Sequence, residues 1–298
     1  LRVLRLSERA DLAGILDADE ARAAAASEGA CPIFKSLDEL IAAGVQAAIV
    51  AVPTSQHEAV ASRLMEAGVD VLVEKPIAAD SASARRLVDL AAQRGRILQV
   101  GHLERFNPAI AALKAMATVP LFFEIHRLSI FTPRSLDVDV VFDLMIHDID
   151  ILLDLVGREP EEIRAAGLSI LSGKVDIANV RLAFPGGCVA NLTASRVSTE
   201  RVRKLRMFQP HQYISVDYQR QEATAITVSA DKQIGFQTLA VSKEEPLRLE
   251  VEDFLECVAT RRRPRVSGED GLAALSVAGA IVDKIEEHSR LVARTLRS

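Results

Sequence analysis

Lys75 stands between Glu74 and Pro76, at the end of the apolar run Val69-Asp70-Val71-Leu72-Val73. A run of this kind reads as a strand of a parallel sheet, buried on both faces. A lysine at its carboxyl end lies where open α/β sheets take their ligands. The proline stops the strand and fixes the backbone just beyond the lysine. The chemistry open to an ammonium held there is electrostatic: it steadies an oxygen that gains negative charge during a reaction.

A second set lies in Asp143-Leu144-Met145-Ile146-His147-Asp148-Ile149-Asp150. On a helix, Asp143 and His147 are one turn apart and face the same way, and Asp150 and Asp154 continue that polar stripe. A carboxylate beside an imidazole fixes its tautomer and raises its basicity, which suits a general base. Two other readings stay open: a solvated helix face, and a metal pair at four-residue spacing. The metal reading needs further ligands, and only six histidines occur in the chain. No metal is therefore expected.

Three further groups could touch a ligand. Asp17 ends an apolar stretch, Asp11 to Leu16, that reads as a strand. An acid there would accept hydrogen bonds from ribose hydroxyls and repel a 2′-phosphate, favouring NAD over NADP; it could equally cap a helix. The turn Pro53-Thr54-Ser55-Gln56-His57 follows the strand Ala47 to Val52, so its amides and the Thr54 hydroxyl could meet a cofactor or merely cap a helix. Arg201 and Arg203 share a strand face by alternation, and could clamp a diphosphate or pair with acids on an outward face.

The elements that must position these groups follow from pattern. Over the first hundred residues, strands alternate with helices capped by Ser36, by Thr54 or Ser55, and by Asp80, and closed by Gly44, Gly68 and Gly95. That alternation means βαβ units and a parallel sheet. No G-x-G-x-x-G precedes the segment ending at Asp17, so the expectation is a Rossmann-type sheet lacking its first strand, with Leu1 to Leu6 as the tail of a helix. After residue 102 the texture changes. Asn107-Pro108 opens a helix to about Met116, Phe122 to Ile130 reads as a strand, and Asp143 to Val156 as a helix closed by Gly157. Glu162 to about Val241 alternates like a largely antiparallel sheet, with a turn at Pro185-Gly186-Gly187. Helical patterns return at Glu250 to Ala259 and Gly271 to His288, joined by a basic turn, Arg261 to Arg265, read as a solvated connector in preference to a phosphate contact. The predicted organisation is a dinucleotide-binding domain over 1–102 and an α+β substrate and oligomerisation domain over 103–298.

Composition narrows the classes. At 298 residues and 49% hydrophobic, the chain is long and apolar enough for two cores. A net charge of −5, no Trp and two Tyr argue against nucleic-acid binding. No apolar run reaches membrane-spanning length and no charged-then-apolar leader opens the chain, so a cytoplasmic location is expected. Cys31, Cys188 and Cys257 are far apart and lack metal spacing, which suggests reduced core thiols.

In order and spacing, Val52-Pro53-Thr54 with His57, Glu74-Lys75-Pro76, Gly101-His102 with Arg105-Phe106-Asn107-Pro108, and Asp143 with His147 resemble the glucose–fructose oxidoreductase, inositol dehydrogenase and rhizopine-catabolism (Gfo/Idh/MocA) oxidoreductases. The resemblance implies a catalytic constellation of Lys75, Asp143 and His147. It implies a nicotinamide cofactor near Asp17, Pro53, Thr54, His57, Glu74, Lys75 and His102, and a substrate near Arg105, Asn107, Arg201 and Arg203. It further implies an open sheet whose face builds a homodimer or homotetramer. Within the family, Asp143 to Gly157, Asp176 to Arg181 and Asn191 to Gln209 look most like the branch that oxidises the 3-hydroxyl of UDP-N-acetylglucosamine, ahead of amine installation for lipid A-type sugars. A polyol or inositol dehydrogenase and a non-catalytic nucleotide-binding protein are the alternatives.

Overall fold

The computed structural model describes residues 1–132 and 137–295. They divide into two compact units, one of Leu1–His102 with Glu245–Leu272 and one of Leu103–Glu244 with Ala273–Ser298.

In the first unit the apolar runs form three parallel strands, β1 (Ala47–Val50), β2 (Asp70–Glu74) and β3 (Leu98–Gly101), in the order β1-β2-β3. The helices between them are His57–Glu66 and Ser81–Arg94. The Asp80 carboxylate accepts from the Ser83 amide to start the second, and Gly95, at φ 62°, ends it in the left-handed region. The expected strand Asp11–Leu16 is reduced to one bridge, Ile15 with Ile33. Only Ile15 engages a neighbour there, donating to Pro32 O and accepting from Phe34 N, and a strand without a continuous partner cannot extend. Nor does Thr54 or Ser55 cap a helix: Thr54–Gln56 is a 3₁₀ turn running into the helix, and no side chain caps it.

Residues 245–272, read from sequence with the second domain, pack in the first unit. Helix Pro246–Thr260 places Phe254 and Cys257 against Leu72 and Ile97 in one buried cluster. The basic turn is not a solvated connector. Arg261 pairs with Asp70 and donates to Gly95 O at 2.7 Å, and Arg262 donates to Asp253 at 2.7 Å. Helix Gly268–Thr295 begins hard against β3: a Cβ on Gly271 would lie 2.6 Å from Val100 Cγ2.

The second unit is an eight-stranded sheet in the order β11-β10-β9-β8-β4-β7-β6-β5. Its strands are β4 (Phe122–Ile130), β5 (Glu162–Leu168), β6 (Ile177–Ala183), β7 (Val189–Ser198), β8 (Val202–Gln209), β9 (Gln212–Asp217), β10 (Glu222–Val228) and β11 (Ile234–Thr238). Every pairing is antiparallel except β4 with β7. Alternation gives the sheet one inward face, where Phe123, Ile125, Leu192, Leu205 and Met207 form a single core with Ile110 and Leu113, Ile149 and Leu152, and Ala278 and Ile281 of three helices. Burying such side chains contributes about 1.5–3 kcal/mol each. On the outward face the register aligns Val189, Phe122, Phe208, Tyr213, Ile226 and Phe236 across six strands. The Phe122–Phe208 and Phe208–Tyr213 ring centroids are 5.6 and 4.9 Å apart.

All three cysteines are free thiols, with Cys188 and Cys257 buried. Among the described residues, no helix is long and apolar enough to cross a membrane, and no cluster of three metal-binding side chains occurs.

Candidate functional site

In the first unit the candidate residues gather at the carboxyl ends of β1, β2 and β3. Lys75 directly follows β2 and is half-buried, and the Lys75–Pro76 peptide is cis. The Glu74 carboxylate folds back to accept from the Lys75 amide at 3.3 Å. Burial pushes the Glu74 carboxyl above its ordinary range, against the pull of Lys75 and His57. Gly101, beside it on β3, has no room for a side chain: a Cβ there would stand 3.0 Å from Glu74 Oε2 and 3.2 Å from its Cα. Pro53 is exposed and Thr54 half-buried on the turn after β1, and His102 is buried after β3. Asp17 accepts from the Asp19 amide at 2.9 Å, and its other oxygen lies 3.8 Å from Arg22 Nη1.

His57 is engaged by the protein itself. It is 1% exposed, with Nδ1 2.9 Å from Pro76 O and Nε2 2.9 Å from Val52 O. Both ring nitrogens are engaged by the protein's own backbone, which leaves the ring none to offer a ligand.

The second unit carries Asp143 and His147. The expected helix over 143–156 begins instead as a π turn, Val141–Met145, in which the Ile146 amide donates to Val141 O five residues back, and continues as the α-helix Ile146–Val156. Asp143 lies in the wide turn and His147 in the first α turn, both half-buried. Single π turns inside helices recur at functional sites because they re-aim side chains.

A buried ionic network braces this turn. Arg127, 3% exposed, donates from Nε and Nη2 to the two oxygens of Asp148, at 2.8 Å each, and from Nη1 to Glu104 at 3.0 Å. Its guanidinium lies 5.3 Å from the centre of the Tyr218 ring. Burial works against the cation, but Asp148 and Glu104 outweigh it and hold Arg127 firmly charged. Glu104 also feels burial first, yet Arg127 keeps its carboxyl below the usual range. Asp148 follows His147 directly, so the network fixes the stretch that presents the imidazole. Arg127, Glu104 and Asp148 escape motif reading. The available signal is Arg127 itself, a charge at an inward position after Phe123 and Ile125 in β4.

The same geometry reassigns two expected substrate residues. Arg105, its side chain 5% exposed, pairs with Asp154 at 3.0 Å and Asp150 at 3.7 Å, so the Asp150–Asp154 stripe is an internal brace rather than a solvated face. Asn107 caps helix Pro108–Met116 through Ala109 N, and its amide donates to Glu104 at 3.2 Å and Tyr218 O at 3.0 Å. Both side chains thus take part in the protein's own network. Arg201 is exposed ahead of β8; Arg203, its side chain 48% exposed, sits opposite Arg127 in register and 3.5 Å from Glu104.

Comparison with known proteins adds the history of this arrangement. Residues 1–102 match the oxidoreductase family with an NAD-binding Rossmann fold, and residues 119–211 match the Gfo/Idh/MocA C-terminal domain. UDP-N-acetylglucosamine 3-dehydrogenase of Acidithiobacillus ferrooxidans is 40% identical over 274 residues, 90% of this chain and 87% of its own. The chain belongs to the Gfo/Idh/MocA oxidoreductase family. A solved structure of that dehydrogenase superposes with a TM-score of 0.88 at 38% identity, covering 93% of this chain and 90% of the other. Inositol 2-dehydrogenase of Rhizobium meliloti is a more distant relative, 25% identical over 95% of this chain and 91% of its own. An oxidoreductase domain protein from Kribbella flavida, at 20% identity and a TM-score of 0.84 over 93% of this chain and 89% of its own, shares the fold.

A Gfo/Idh/MocA oxidoreductase uses a nicotinamide cofactor, and the donor set fits one. Lys75 follows β2 and Thr54 follows β1, at the edge of the parallel sheet where such folds take dinucleotides, and Asp17 lies two residues beyond the Ile15–Ile33 bridge; their side chains offer the charge and hydrogen bonding that ribose hydroxyls and a carboxamide require.

Proposed function

We propose that this chain oxidises a sugar hydroxyl to a ketone, with the C3 hydroxyl of UDP-N-acetylglucosamine as substrate and NAD as the hydride acceptor. The observation that carries this reading is 40% identity, over nine-tenths of the chain, to a dehydrogenase of that name. When bound, the nicotinamide takes up the hydride that leaves the carbinol carbon. His147 removes the hydroxyl proton as general base. Asp143 orients the imidazole and stabilises its charged form. Lys75 steadies the alkoxide as it develops, which together with general-base catalysis is worth on the order of a hundredfold or more in rate for each group. Arg201 and Arg203 hold the nucleotide diphosphate. Asp17 accepts from the adenosine ribose and disfavours a 2′-phosphate, although Arg22, 3.8 Å from it, gives such a phosphate one cation. The outward apolar line of the second sheet, from Val189 to Phe236, supports assembly as a homodimer or homotetramer.

The test is nicotinamide absorbance with a substrate panel. UDP-N-acetylglucosamine is expected to drive NAD reduction while myo-inositol and free N-acetylglucosamine do not. Turnover of inositol with none of the nucleotide sugar would move the chain to the polyol branch. Turnover of neither would point to a nucleotide-binding role without catalysis.

A further inference from the structure

β7 does not run evenly beside β4. Leu128 pairs with Ser195 and Ile130 with Ser198, so one residue of β4, Ser129, lies opposite two of β7, Arg196 and Val197. The extra residue makes a bulge, and the Ser195 hydroxyl accepts from the Val197 amide within it at 3.1 Å. Regular alternation would bury every second side chain, but Ala194, Ser195 and Arg196 are buried in succession. A guanidinium that is 5% exposed needs partners. Arg196 donates from Nη2 to Val138 O, and its Nε lies 3.8 Å from Asp176 Oδ1. Asp176 is itself well anchored. Its carboxylate accepts from the amides of Ile170, Leu171 and Ser172 at 2.7, 2.6 and 2.9 Å, and from the Ser172 hydroxyl at 2.6 Å. Burial opposes its charge, but these hydrogen bonds hold the carboxyl well below the usual range.

Val138 leads into the turn that carries Asp143. The next residue, Asp139, accepts from the Val175 amide through Oδ1 at 2.8 Å, and its carbonyl accepts from the amides of Phe142 and Asp143 at 3.0 Å each. The Val140 amide donates to Val175 O at 2.9 Å, and the Arg196 amide to Asp176 O at 3.0 Å. The approach to the turn Val141–Met145 is therefore tied to residues 175 and 176 and to the bulge of β7. We infer that Arg196 is a positioning residue for Asp143: from the bulge it holds Val138, and with it the start of the π turn, which fixes where the Asp143 carboxylate stands. Two arginines from neighbouring strands then bracket the Asp143–His147 pair, Arg196 through the residue before Asp139 and Arg127 through the residue after His147. The effect on turnover rests on the reading of Asp143 given above; the placement of the turn does not.

The experiment is hydrogen–deuterium exchange of the full chain, read by mass spectrometry, beside steady-state kinetics with UDP-N-acetylglucosamine and NAD. In Arg196→Met, peptides spanning 140–145 should exchange about tenfold faster, while those of the β8–β9 pair keep the parental rate. kcat should fall about tenfold to a hundredfold with KM within about threefold, the signature of a misplaced group. In an Asp143→Asn background the same substitution should cost less than about twofold in kcat, because the carboxylate it would misplace is already gone. Parental exchange over 140–145 would overturn the inference, whatever the activity. So would an undiminished loss of kcat in the Asp143→Asn background, which is what a merely structural role gives. If exchange rises while Arg196→Met and Asp143→Asn both keep parental kcat, the catalytic reading of Asp143 fails and the brace stands. Arg196→Lys serves if the Met variant does not fold. It keeps a cation near Asp176 but loses the planar fork that serves two partners, so exchange over 140–145 should again rise, and a parental rate there would overturn the inference.

Discussion

Glu250 shows how much a single side chain sets in this protein. It is 1% exposed, and burial next to Glu74 and Asp253 raises its carboxyl from an ordinary 4.5 to about 8. The folded chain therefore keeps a proton that the unfolded chain releases above about pH 4.5. Its contribution to stability is complete below that pH and is lost as pH rises toward 8, with a slope of up to about 1.4 kcal/mol per pH unit. Glu250→Gln cannot ionise. Thermal melts from pH 5 to 9 should show its Tm advantage over the parent growing up to about pH 8 and then levelling; a difference independent of pH would mean that Glu250 is not held neutral. None of this is legible in sequence, where Glu250 looks like one more acid on an amphipathic helix. His57 was similarly opaque. Its residue type and its place beside the strand end could be read, but not its two carbonyl partners, 5 and 19 positions away in the chain.

At the scale of elements, what could be read was local. The Ser36, Asp80 and Asn107 caps bond to amides two or three residues on, so short-range chemistry decides them. Strands β2 and β4 declare themselves by an apolar run and by alternation. The Arg127 brace depends instead on Glu104 and Asp148, 23 and 21 residues off, and on a helix that begins as a π turn. Buried ion networks of this kind cost stability when broken and give little over an apolar replacement; this one holds Asp148, the residue after His147. Arg127→Met leaves two buried carboxylates facing each other. Urea unfolding should report a loss of about 3–5 kcal/mol, while a loss under about 1 kcal/mol would mean that water already reaches the network.

For the whole molecule, the two units carry different candidate residues. The first carries Lys75 after β2; the second carries Asp143 in the turn Val141–Met145, His147 in the helix Ile146–Val156, and an eight-stranded sheet whose outward face is lined with apolar side chains. Phe236 is 69% and Ile234 76% exposed, and the proposed assembly would cover them. Phe208→Glu, at the middle of that line, should lower the mass measured by light scattering to that of a monomer of 32.3 kDa; an unchanged mass would place the assembly surface elsewhere. The two-part layout was legible from the change of texture after residue 102. The return of residues 245–272 to the first unit was not, since Phe254 meets Leu72 and Arg261 meets Asp70 only through tertiary packing.

The central claim of the proposed function is that Lys75 and His147 both serve the oxidation of the sugar hydroxyl. Steady-state kinetics of Lys75→Ala and His147→Ala with UDP-N-acetylglucosamine and NAD test it most directly. Each variant should lose about a hundredfold or more in kcat while KM changes by no more than a few-fold. Near-parental kcat in either variant would contradict the account.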